Sequence, residues 1–240
     1  IGADARIHGT NGVGQRVDVA TVVDLIRSDA HAVALQNPRG QHEVLVERQV
    51  LFKRAQAVVD EFYKNPDKPK GKGVNVSISV ASLVPKPFTP FQWEPQDKPD
   101  VLIDKQNYLI SCVKTRKVNV SRHVPWTSFL EGVFARGDRR LADVIETAWR
   151  KGCKFDGWAE CLKPDVWEES FAENGIDPYF YTARRREYDE ILPWDHMDYG
   201  VTKKFLVNEN KKAHKGETTA CCREKCAGCG ANKLNGGVCD

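Results

Sequence analysis

The sequence predicts an α/β fold: helix–strand–helix units, then a mainly helical extension and a Cys-rich tail. Three observations carry this. Apolar residues recur at helical spacing over 45–63 and give way to strict alternation over 74–80. Short helical patterns punctuated by Gly and Pro fill 127–175. Five of the eight cysteines fall in the last twenty of the 240 residues. With 41% hydrophobic and 29% charged residues the chain is neither disordered nor membrane-embedded, since no run approaches the roughly 20 apolar residues that span a bilayer. A net charge of +3 is too small to argue for nucleic acid by itself.

Residues 1–50 fall into no recognisable unit. Gly9-Thr-Asn-Gly-Val-Gly14 reads as a turn-rich loop and Val19–Ile26 as one short helix. The glycines follow no strand and precede no Lys-Ser/Thr, so they are not a phosphate loop. The start at Ile1 has no signal-peptide pattern and no initiator Met, which reads as a chain cut from a longer one.

Residues 51–116 form the next region. Leu51, Ala55, Val58, Val59 and Phe62 predict an amphipathic helix that Asn65-Pro-Asp-Lys-Pro ends. Val74-Asn-Val-Ser-Ile-Ser-Val80 predicts a strand with Val74, Val76, Ile78 and Val80 on one face and Asn75, Ser77 and Ser79 on the other. One reading is an antiparallel strand with a wet face. The other is a barrel strand whose polar side lines a ligand cavity, because ligand groups in βα barrels gather at strand C-termini and the loops beyond. The loop beyond is Val84-Pro-Lys-Pro-Phe-Thr-Pro-Phe-Gln-Trp-Glu-Pro95, with four prolines and three large aromatics. It reads as a packed lid, with Lys86 the side chain able to reach an anion. A helix over Asp97–Lys114 follows.

Residues 117–200 read as the helical extension. Lys117–Val120 is a short strand. Ser128-Phe-Leu-Glu131 looks like a capping box opening a helix that stops near Gly137. Asp138 caps a second helix, with Leu141, Val144, Ile145, Ala148 and Trp149 on one face, and a third runs from Pro164 to Asn174. Arg184-Arg-Arg186 reads as a solvated helix face and Trp158 as a packing residue, with Glu160 beside it in a turn. Arg136-Gly-Asp-Arg-Arg140 is an adhesion tripeptide only by coincidence. Asp195, His196 and Asp198 in Pro193-Trp-Asp-His-Met-Asp198 are candidates for acid–base chemistry or metal ligation, although a His between carboxylates is more often structural.

Residues 201–240 form a basic tail, with eight Lys/Arg against four Asp/Glu. Cys222, Cys226, Cys229 and Cys239, with Cys221 as an alternative, are spaced to wrap one metal centre. Glycines between them permit tight turns, and Arg223 and Lys225 favour the thiolates. The set suits tetrahedral zinc or an iron–sulfur cluster in a reducing, cytoplasmic compartment. Cys112, Cys153 and Cys161 are scattered and read as packed thiols.

Several strings resemble the C-terminal third of a radical S-adenosylmethionine (SAM) family whose members carry an N-terminal cobalamin-binding-like domain. They are Ser77 through Gln96, Ser128 through Arg140, Gly152-Cys-Lys-Phe-Asp-Gly-Trp158, Gly175-Ile-Asp-Pro178, Ile191 through Asp198, and Cys222 through Cys229. The resemblance implies that 51–116 holds the last units of a partial TIM-like barrel. Asn75, Ser77, Ser79 and Lys86 would border the site of SAM and its 4Fe–4S cluster, while the terminal cysteines would hold an auxiliary iron–sulfur cluster or zinc. The implied partners are the upstream barrel and cobalamin-binding-like domain, with cobalamin as a further cofactor; the resemblance does not supply the substrate, for which RNA or protein is a candidate, and no membrane is expected. The family's initiator C-x-x-x-C-x-x-C follows its first barrel strand, whereas here that spacing closes the chain. The expected function is therefore the C-terminal portion of a radical SAM enzyme, inactive alone. The alternative is a non-catalytic zinc module that contacts RNA or a protein.

Overall fold

The computed structural model describes residues 5–6, 41–71 and 73–233. The Gly9–Gly14 loop, the Val19–Ile26 helix and Cys239 lie outside them. The described chain is α/β and mostly helical, and its contacts divide it into two interleaved units, 1–81 with 104–123, and 82–103 with 124–240. None of its described helices is long and apolar enough to cross a membrane.

The first unit is a small sheet under a helix. Helix α1 (Gln41–Lys64) leads to strand β2 (Val76–Val80), helix α2 (Pro99–Ser111) and strand β3 (Val118–Arg122), and β2 and β3 pair in parallel from Val76↔Val118 to Val80↔Arg122. Parallel pairing needs a crossover, and α2 supplies it. Ala5–Arg6, β1, pairs antiparallel on the other side of β2. The predicted alternation is realised. Val76 and Ile78 are buried with Phe52, Ala55, Val59 and Val118, while Asn75 and Ser79 are exposed and Ser77 is half-buried. An Asx turn ends α1 as its sequence predicts, with Asn65 Oδ1 accepting from Asp67 N at 2.9 Å.

In the second unit, helices α3 (Pro125–Arg136), α4 (Leu141–Arg150), α5 (Pro164–Glu173) and α6 (Pro178–Thr182) pack around Phe129, Val133, Val144, Ala148 and Phe171. A second cluster, Trp93, Leu192, Trp194 and Leu206, joins the Pro-aromatic loop to helix α7 (Lys203–His214). The capping-box reading of Ser128 is overturned. Pro125 opens α3, where its fixed φ suits the first turn, and Ser128 lies inside the helix, 2% exposed. Ser128 and Gly132, one turn apart, make a trough for the buried Gln96, whose Nε2 donates to Ser128 O at 2.8 Å. Asp138 does not cap α4 as expected: it lies three residues before Leu141, with Arg140 at the N-cap, and its Oδ1 accepts from Arg140 N at 3.0 Å in the turn that leads into the helix. Ile145 and Trp149 do not join the buried face of α4 but stand 46% and 59% exposed.

Two outcomes test this packing. A Cβ on Gly132 would sit 2.0 Å from Gln96 Oε1, so Gly132→Ala should lower the denaturant-derived unfolding free energy by about 1–3 kcal/mol. The Arg140 side chain, with help from the Arg140 N–H and Tyr181 hydroxyl, holds the Asp138 carboxyl down to about 2 from 3.8. A carboxylate depressed in the folded state stabilises it above its unfolded value, and that stability is lost as pH falls through the folded value. Asp138→Asn should therefore flatten the pH dependence of unfolding between 3.8 and about 2.

Candidate functional site

The cysteine segment is fastened at both ends to α7. Thr202 caps that helix, its Oγ1 accepting from Phe205 N at 3.2 Å. Past the helix, Thr219 Oγ1 donates to Glu209 Oε1 at 2.7 Å and accepts from Lys212 Nζ at 2.7 Å, so the chain folds back onto α7 before the first cysteine. Cys221 O then accepts from Glu224 N and Lys225 N at 2.9 and 3.1 Å, which closes a tight turn around Cys222. Gly228 and Gly230 take left-handed φ of 68° and 96° on either side of Cys229. Cys229 O accepts from Thr202 N at 2.9 Å, returning the segment to the start of α7.

Cys221, Cys222 and Cys226 are exposed and Cys229 is half-buried. Among the described residues no three His, Cys, Asp or Glu side chains converge to hold a metal, and Cys239 is outside them. The donor set nonetheless fits the implied groups: three thiols at spacings of three and two residues, in a segment that glycines allow to turn, beside Arg223 and Lys225. Soft thiolates select zinc and iron–sulfur clusters over hard cations.

The other end of α7 meets a buried polar cluster built on the Pro-aromatic loop. Glu94 Oε1 lies 2.8 Å from His214 Nε2 and accepts from Asn210 Nδ2 at 2.9 Å, with Arg185 at 3.7 Å. Tyr188 OH donates to Asn210 Oδ1 at 2.5 Å, and Asn210 Nδ2 also reaches Pro90 O at 2.8 Å. Beneath it, Arg136 donates to Glu94 O at 2.8 Å, Gln92 O at 3.3 Å and Thr182 O at 3.4 Å. Arg186 donates to Arg136 O at 3.0 Å and Tyr181 O at 3.2 Å. Burial, then the neighbouring Arg186 charge, lowers the Arg136 guanidinium to about 9, still protonated at neutral pH.

Sequence reasoning missed this cluster. Arg184–Arg186 is a loop rather than a helix face. Arg184 forks onto Glu190 at 2.8 and 2.5 Å, and Arg186 is 2% exposed. The i, i+4 spacing of Asn210 and His214 on a helix was the one available signal for a shared polar face.

The sequence candidates are dispersed. Ser77 and Ser79 lie on the polar face of β2, and Asn75 sits just before the strand, exposed. Lys86 pairs with Glu131. Asp195 Oδ2 accepts from Leu192 N at 3.1 Å and Lys203 Nζ at 3.0 Å, Asp198 Oδ1 accepts from Gly200 N at 2.9 Å, and His196 is exposed. The two carboxylates thus shape turns. Glu160 is exposed, and Trp158, expected to pack, stands 66% exposed in the turn before α5.

A Cβ on Gly230 would lie 2.7 Å from Thr202 Cγ2 and 3.1 Å from Gly200 O, at a φ that disfavours L-residues. Gly230→Ala should release the cysteine segment from α7. The expected result is faster modification of Cys229 by a thiol reagent, with the main unfolding transition shifted by less than about 1 kcal/mol because the segment is exposed. No family model, curated protein or solved structure matches this chain.

Proposed function

We propose that the chain is the C-terminal portion of a cytoplasmic radical SAM enzyme, ending in an auxiliary 4Fe–4S centre on Cys222, Cys226, Cys229 and Cys239. The observation that carries this reading is the double anchorage of the cysteine segment on α7, which limits the conformations the thiols sample before a metal arrives. Order in the ligand loop lowers the entropic cost of gathering it. The β2–α2–β3 crossover is the repeating unit of a βα barrel, which supports reading it as the end of a partial TIM-like barrel. The Pro-aromatic loop follows β2 directly, the position from which barrel loops border a ligand.

SAM and its cluster would supply the radical chemistry when bound. This chain's residues would position and exclude. Asn75, Ser77 and Ser79 offer small hydrogen-bonding groups just before and along one strand, and the four prolines keep their loop from sampling open states. Lys86 would have to leave Glu131 to meet an anionic group. The initiating cysteines and any cobalamin site belong to upstream domains, the partners this chain needs for activity.

The second reading, a zinc module that contacts RNA or protein, draws on the exposed thiols and the basic tail. Anaerobic reconstitution of the purified chain with iron and sulfide, followed by metal analysis and visible absorbance, separates the two. One cluster per chain, lost in Cys226→Ser, is the expected result. One equivalent of zinc with no visible absorbance would replace the cluster reading with the zinc module. Unchanged metal stoichiometry in Cys226→Ser would overturn the ligand assignment itself.

A further inference from the structure

The second unit carries an apolar groove that neither the thiol segment nor the polar cluster uses. Its volume is about 360 Å³, and Ile145, Trp149, Phe155 and Trp167 form most of its wall, with Lys154 and Asp156 at its edge. Trp149 is 59% and Phe155 76% exposed, and Trp158 follows on the same turn at 66%. Large aromatics lying open together mark an interaction surface more often than a folding necessity.

The backbone adds a second observation. Phe155 has φ +59°, a left-handed conformation that is an outlier for a bulky side chain. Its neighbours hold it there. Cys153 N donates to Ala148 O at 3.0 Å, Trp158 N to Phe155 O at 2.9 Å, and Lys163 Nζ to Gly152 O at 2.9 Å. Glycine would occupy that φ freely, so the ring is displayed at a conformational cost.

Charge identifies the occupant. Residues 141–175 carry eight acidic against four basic side chains. Three of the four basic groups are already engaged, Arg150 with Glu146, Lys151 with Glu169 and Glu173, and Lys163 with a carbonyl. Glu160, Asp165 and Glu168 form no ion pair among the described residues. That surplus repels a nucleic-acid backbone and a second copy of the same surface alike, and it attracts cations. We propose that this groove docks a basic, amphipathic segment of a protein partner, whose apolar residues enter between Trp149 and Phe155 while its Lys and Arg meet the acidic surplus of the elements that form the groove. Lys154 is the one cation on the groove, and its flexible stem can cover apolar surface while its ammonium stays in water.

The test uses the whole chain and three labelled probes: an amphipathic Lys/Leu peptide, its Glu/Leu counterpart, and oligouridine RNA. The Lys/Leu peptide is expected to bind, at least about tenfold more tightly than either other probe, with affinity falling as salt rises. Trp149→Ala and Phe155→Gly should each weaken it by about tenfold or more, Glu160→Lys should weaken it further at low salt, and Cys226→Ser should leave it unchanged. Phe155→Gly should do so without lowering the thermal midpoint, because it removes strain, so lost binding cannot be lost folding. Failure of the Lys/Leu peptide to bind, equal binding of the acidic peptide or RNA, or full binding by Phe155→Gly would overturn the proposal. So would self-association of the chain that Phe155→Gly abolishes. The Cys226→Ser arm keeps this result independent of the metal-centre reading.

Discussion

The second unit depends on two buried arginines that complete the hydrogen bonding of segments with no regular partner. A loop with prolines at 85, 87, 90 and 95 lacks the N–H groups to build a ladder, yet Gln92, Trp93 and Glu94 are buried. Their carbonyls must find donors or leave the interior. Arg136 answers with a planar fork that spans Gln92 O, Glu94 O and Thr182 O. Arg186 does the same for Arg136 O and Tyr181 O, carbonyls in the last turns of α3 and α6, where helix ends leave acceptors unpaired. A positive charge there also opposes the negative end of the helix dipole. The arrangement carries costs. Both Nε atoms remain without a partner, and burial followed by a neighbouring like charge lowers each guanidinium, Arg186 acting on Arg136 and Arg184 on Arg186. Removing either arginine leaves several buried acceptors bare, each worth about 1–3 kcal/mol.

That scaffold connects the Pro-aromatic loop to the cysteines through fixed elements. Arg136 fixes the backbone of Glu94, so the carboxylate faces Asn210 and His214 on α7. The helix in turn anchors both ends of the thiol segment, through Glu209 and Lys212 at one side and Thr202 at the other. The same helix therefore packs Leu206 into the core, pairs the loop's buried acid and holds the candidate ligands. Cys221, Cys222 and Cys226 are exposed and Cys229 half-buried, but their attachment point is not free to drift.

Local patterns in the sequence revealed the elements whose cause is local. Alternation at 74–80 fixed which face of β2 is buried, and the three- and four-residue steps of Ala55 and Val59 located α1. The failures share another cause. Ser128 matched a capping box, but a proline three residues earlier had already begun the helix, and its backbone carbonyl accepts from Gln96, thirty-two residues away. Arg186 looked solvated because its acceptors, Arg136 O and Tyr181 O, are assembled only by folding. Arg136 was hidden inside a tripeptide whose resemblance to an adhesion motif had no bearing on its burial. The cysteine spacing was legible as donor chemistry, yet its attachment to α7 rests on Gly230 and a backbone bond, which no side-chain pattern announces.

Stability and display are divided between different residues of the second unit. The arginine-centred core accepts desolvation and charge repulsion because satisfied carbonyls return more than these costs. The loop after α4 does the reverse: Phe155 accepts a left-handed backbone, a strain of about 1–3 kcal/mol, and gains almost no burial for its ring. Helix α4 shows the same split at single-residue resolution. Val144 and Ala148 are fully buried, whereas Ile145 and Trp149, one position further round, are open. Folding alone would favour glycine at 155 and polar residues at 145 and 149. A surface that is apolar, strained into position and built from elements with a surplus of carboxylates satisfies a second constraint, and an external cationic, amphipathic chain would meet all three of those terms together.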